Sequence, residues 1–65
     1  MTYAERIAQE IETLDTDLRG YQEWYPVARK RDWRELAATI ARVQENVATM
    51  KLRWFRKTGQ PYQDA

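Results

Sequence analysis

The side chains in this sequence that can do chemistry are carboxylates, lysine amines, tyrosine phenols and threonine hydroxyls, because histidine, serine and cysteine are all absent. That removes the commonest general base and the two commonest nucleophiles. Carboxylates can share acid and base work only where two of them converge on one pocket that drives their acidities apart. The pairs on offer, Glu10 with Glu12 and Asp15 with Asp17, stand two residues apart on a predicted helix, so their side chains diverge and read as a solvated face. A carboxylate metal centre in a helical bundle uses Glu-x-x-His pairs, and there is no histidine to supply them. The only glycines are Gly20 and Gly59, so no glycine-rich loop is present to cradle a phosphate. The sequence predicts no catalytic residue, metal, cofactor or small-molecule substrate. Its expected work is binding.

Two basic clusters interleaved with aromatics are the candidates for that work. Arg29, Lys30 and Arg31, with Arg34 one turn on, lie among Tyr21, Trp24, Tyr25 and Trp33, and Lys51, Arg53, Arg56 and Lys57 surround Trp54 and Phe55. Trp, Tyr and Arg are the residue types that dominate binding hot spots. The bland account has force, because cations near a helix C-terminus also stabilise the helix by about 0.3–1 kcal/mol. Position separates contact from core among the aromatics. Tyr21, Tyr25, Trp33 and Trp54 fall on the apolar seam described below and are expected inside, whereas Trp24 and Phe55 fall beside it. The partner-binding set is accordingly Trp24, Arg29, Lys30, Arg31, Arg34, Phe55 and Arg56.

The elements that must carry these residues are legible from period. Apolar side chains recur at Ala4, Ile7, Ile11, Leu14, Leu18, Tyr21 and Tyr25, and again at Trp33, Leu36, Ile40, Val43, Val47, Met50 and Trp54, in unbroken three-four alternation. These are heptad a and d positions, which predict two helices and exclude strands. Thr2 with Glu5, and Asp32 with Glu35, have capping-box spacing and open the helices near residues 3 and 33. Pro26 ends the first near residue 24, and Gly59 with Pro61 ends the second near Thr58. Gly20 is read through, since an interior glycine costs only about 1 kcal/mol; ending the first helix there is the alternative. The connection over residues 25 to 32 is short enough to force antiparallel neighbours. The loop sets Ile7 on Trp54, Ile11 on Met50, Leu14 on Val47, Leu18 on Val43, Tyr21 on Ile40 and Tyr25 on Leu36.

The expected fold is all-α: one antiparallel, coiled-coil-like hairpin over residues 1 to 59, with a flexible polar tail over 60 to 65. A chain of 65 residues buries too little surface to be comfortably stable alone, and without cysteine a second subunit is the remaining support. Ala37, Ala41, Gln44, Ala48 and Phe55 line a stripe beside the seam, and they are the expected homodimer interface of a four-helix bundle. Residues 1 to 24 hold six acids and two bases, while 25 to 65 hold nine bases and four acids. Acidic and basic helices suit each other, and a net charge of only +1 argues against a protein built to coat nucleic acid.

No apolar run long enough to span a membrane occurs, and the opening ten residues carry Glu5, Arg6 and Glu10 where a secretory signal needs an apolar stretch, so the cytosol is the expected compartment. The function these features favour is docking onto a larger protein as an adaptor, regulator or inhibitor. The alternatives are a small RNA- or DNA-binding hairpin dimer of copy-control type and a structural assembly subunit.

Overall fold

The computed structural model describes residues 1 to 63. Helix α1 runs Tyr3–Trp24 and helix α2 runs Trp33–Thr58, and the two pack against each other as an antiparallel hairpin. The molecule measures 42 × 17 × 15 Å. That length is close to the ~39 Å expected of 26 helical residues at 1.5 Å each, so α2 spans the whole rod. No helix among the described residues is long and apolar enough to cross a membrane.

Thr2 opens α1, its hydroxyl oxygen accepting the Glu5 backbone N–H at 3.1 Å while the hydroxyl donates to the Glu5 carboxylate at 3.1 Å. Such a cap stabilises a helix by about 1 kcal/mol. Gly20 does not interrupt α1. It faces open space, with nothing within 4 Å of where a Cβ would stand. At the far end Gly59 takes φ 74°, the left-handed geometry that glycine adopts without penalty, and its N–H closes α2 on the Phe55 carbonyl at 2.7 Å.

The entry to α2 differs from the sequence expectation. Asp32 makes no side-chain cap and sits in helical geometry at φ −94° and ψ −9°. The cause is a 3₁₀ turn over Lys30–Asp32 that runs straight into the helix, so the N–H groups of Asp32 and Trp33 already reach the carbonyls of Arg29 and Lys30. With those donors satisfied by backbone, a side-chain cap has less to contribute. A second 3₁₀ turn, Tyr25–Val27, leaves α1 at Pro26, where a missing N–H costs nothing.

Burial is uneven along the seam. Ile7, Ile11 and Met50 form a buried cluster with Leu14 and Trp54 packed against it, and Val47 and Leu36 are also buried. Leu18, Tyr21, Ile40 and Val43 are only half-buried. A two-helix layer cannot enclose its own seam, because each helix has one neighbour where a bundle helix has two. Tyr62 supplies part of the missing cover by lying against the buried cluster from beyond the C-terminus of α2. It falls within the segment expected to be a flexible polar tail; residues 64 and 65 of that tail lie outside the described residues.

Candidate interaction surface at the hairpin tip

The tip is built by the two 3₁₀ turns. Ala28, between them, is extended and donates its N–H to the Trp24 carbonyl at 2.9 Å, which folds the chain back over the end of α1. Across this bend the rings of Tyr25 and Trp33 stack, with centroids 5.8 Å apart and planes at 27°. The Trp33 Nε1–H donates to the Ala28 carbonyl at 3.2 Å. Ring stack and hydrogen bond together join the end of α1, the loop and the start of α2.

These two rings were expected in the core, and the structure corrects that. Tyr25 is 36% and Trp33 38% exposed, because the turn at Pro26 takes Tyr25 out of α1 and the seam has run out of partners by then. Trp24, placed beside the seam by its heptad position, is 49% exposed, and Val27 is 79% exposed at the apex. The result is an apolar cap of Trp24, Tyr25, Val27 and Trp33 standing in water.

Arg29, Lys30, Arg31 and Arg34 lie on the adjoining 3₁₀ turn and the first turn of α2, all exposed. Among the described residues none of the four makes an ion pair or side-chain hydrogen bond. Asp32, within the same stretch, is partly buried and borders a shallow groove with Tyr21, Trp24, Glu35, Leu36 and Thr39. The chain thus gathers an apolar cap, four cations with no internal partner and one groove wall at a single end of the rod.

Phe55 and Arg56 do not join this assembly. They lie 21 and 22 residues beyond Arg34 on α2, about 30 Å away along the helix. The second basic cluster is spent differently as well. Lys57 Nζ lies 5.4 Å from the centroid of the Tyr3 ring, Lys51 Nζ lies 5.8 Å from that of Tyr62, and Arg53 points a guanidinium nitrogen at the Met50 sulfur at 3.7 Å. The first joins α2 to the start of α1, the second holds the segment after Gly59 against α2, and the third lies within α2.

On the flank of α2, Ala37, Ala41, Gln44, Ala48 and Phe55 are all exposed, Phe55 at 49%. Leu52, equally exposed, belongs to the same flank and was not anticipated from the sequence; its spacing of four from Ala48 was the available signal. Val27 and Tyr62 were missed too. An apolar residue soon after a C-terminal glycine commonly packs back on the last turns of its helix, and that rule would have flagged Tyr62. No carboxylate cluster able to hold a metal occurs among the described residues.

No family model, curated protein or solved structure matches this chain.

Proposed function

We propose that this protein is a non-enzymatic interaction module that docks its hairpin tip onto a larger protein, acting there as an adaptor, regulator or inhibitor. The observation that carries the reading is the exposed apolar cap of Trp24, Tyr25, Val27 and Trp33 at the same end of the rod as four exposed cations with no internal partner among the described residues. Tyr25 and Trp33 lose little conformational freedom on binding, since their stack has already fixed them. The complementary surface is an apolar slot bordered by carboxylates, which would desolvate the rings and meet the arginines at the rim.

The same reading makes the hairpin one half of a homodimeric four-helix bundle. Its support is the half-buried seam, the exposed flank of α2 and the lack of any disulfide in a short chain.

The test of docking is affinity capture with nuclease-treated extract from the source cells, comparing wild type with Trp24→Ala and Arg31→Ala by quantitative mass spectrometry. A protein retained by wild type and lost from both variants is the expected outcome. Its absence, together with tight binding of single-stranded or duplex RNA or DNA in a fluorescence titration at moderate salt, would replace the protein partner with a nucleic acid.

A further inference from the structure

Phe55 and Leu52 stand half in water on the same flank of α2 and belong to no buried cluster, although each is large enough to anchor a core. The surface as a whole points the same way. The chain exposes 5352 Å², whereas a compact monomer of 7.8 kDa exposes about 4,400 Å². The surplus is about 1,000 Å², against the ~800 Å² that each partner buries in a standard interface.

We infer that this flank is covered by α2 of a second copy, running antiparallel across a two-fold axis at the level of Asn46, so that Phe55 packs on the partner's Ala37. The proposal rests on the homodimer reading above and specifies its geometry.

Size and symmetry set the direction. Along the flank the positions 37, 41, 44, 48, 51 and 55 alternate by four and three, a second seam about 100° around the helix from the first. Their side chains grade from small at the tip end, Ala37 and Ala41, to bulky at the other, Lys51 and Phe55, with Leu52 beside them. A two-fold interface presents the same patch from both copies, so its pairs are fixed once the direction is chosen. In a parallel pair Phe55 would meet the partner's Phe55 and Ala37 the partner's Ala37, crowding one end and leaving a gap at the other. In the antiparallel pair Phe55 meets the partner's Ala37, the Lys51 stem meets the partner's Ala41, and Ala48 meets the partner's Gln44. Phe55 and the Lys51 stem then each face an alanine and Gln44 faces Ala48, which satisfies close packing along this row. Lys51 lays its methylenes on the seam while its ammonium stays at the rim beside Tyr62. The two tips then project from opposite ends, so a dimer can engage two partners at once.

The absence of native cysteine makes the direction measurable. Gln44→Cys and Ala48→Cys would be prepared as single variants, oxidised separately and as a mixture with oxidised glutathione, and resolved by non-reducing electrophoresis and mass spectrometry. Antiparallel pairing places position 44 beside the partner's 48 and holds each position too far from its own copy for a disulfide. The mixed disulfide should then exceed either symmetric one by about tenfold. Symmetric disulfides formed readily by each variant alone would overturn the antiparallel direction. Sedimentation equilibrium separates the other failures. Wild type should sediment at twice the monomer mass, and Phe55→Glu, at an exposed position, should keep its helicity but raise the dimer dissociation constant at least ~30-fold, the loss expected of a well-packed aromatic anchor. A monomeric wild type would overturn the homodimer reading itself; a dimer that is indifferent to Phe55→Glu and gives no mixed disulfide would move the interface to another face.

Discussion

The ring of Tyr62 meets that of Trp54 edge-on, with centroids 5.4 Å apart and planes at 90°. Three local features deliver it there. Gly59 reverses the chain in left-handed geometry, the Thr58 hydroxyl accepts the Gln60 N–H at 3.2 Å while donating to the Trp54 carbonyl at 2.9 Å, and Pro61 stiffens the return. The ring then covers the Ile7–Ile11–Met50 cluster that two helices leave partly open.

Tyr62→Ala should therefore lower stability by about 1–3 kcal/mol, combining lost apolar burial with the lost edge-to-face contact. Urea unfolding followed by circular dichroism checks this. An unchanged midpoint would show that the segment after Gly59 contributes nothing to the core.

Gly20 makes the opposite forecast. It is helical and exposed, and nothing lies within 4 Å of the place an added methyl would take. Gly20→Ala should raise stability by about 1 kcal/mol through helix propensity and a less disordered unfolded chain. Gly59→Ala, at φ 74°, should cost about 1 kcal/mol or more by forcing an L-residue into left-handed geometry. Thermal melts of the two variants beside wild type should move in opposite directions.

The two packed helices were legible because heptad spacing repeats a single physical requirement many times, and a misplaced residue or two does not erase it. Gly59 was legible for a similar reason, since a helix followed by glycine and proline has few ways to continue. The sequence misled where local and tertiary demands compete. Tyr25 and Trp33 extend the heptad on paper, yet Pro26 and the 3₁₀ turns divert the chain before they can be enclosed. Asp32 has capping spacing, but the preceding turn supplies the hydrogen bonds first. Of the candidate contact residues, Trp24 and the four tip cations share one end of the rod, whereas Phe55 and Arg56 belong to the other. Linear spacing marked both groups as unusual without revealing how far apart a long helix would hold them.

The tip should lose rigidity when the Trp33 ring hydrogen bond is removed. Trp33→Phe keeps an aromatic partner for Tyr25 but deletes the donor to the Ala28 carbonyl. A cost of about 1 kcal/mol is expected, as for a typical protein hydrogen bond. Amide hydrogen exchange at the loop should quicken while exchange around Ile11 and Met50 changes only in step with global stability. Equal acceleration at both places would mean that the bond supports the whole hairpin and not the loop alone.

Once a partner is in hand, two tip residues should fail in different ways. Trp24 is an apolar anchor at the cap, and Arg31 is a rim cation; neither belongs to the buried cluster, so both can be removed without unfolding the hairpin. Trp24→Ala should slow nothing in association but hasten release, weakening affinity by 2 kcal/mol or more, about 30-fold. Arg31→Ala should act mainly on the association rate, and its effect should shrink as salt is raised past ~0.15 M, where the screening length falls to about 8 Å. Stopped-flow association and dissociation rates across a salt series distinguish the two signatures. A nucleic-acid partner would give another pattern: each of Arg29, Lys30, Arg31 and Arg34 replaced by alanine would reduce the slope of log affinity against log salt by about one. If affinity proves steep in salt with all four cations contributing alike, and Trp24→Ala costs little, protein docking at the tip is wrong.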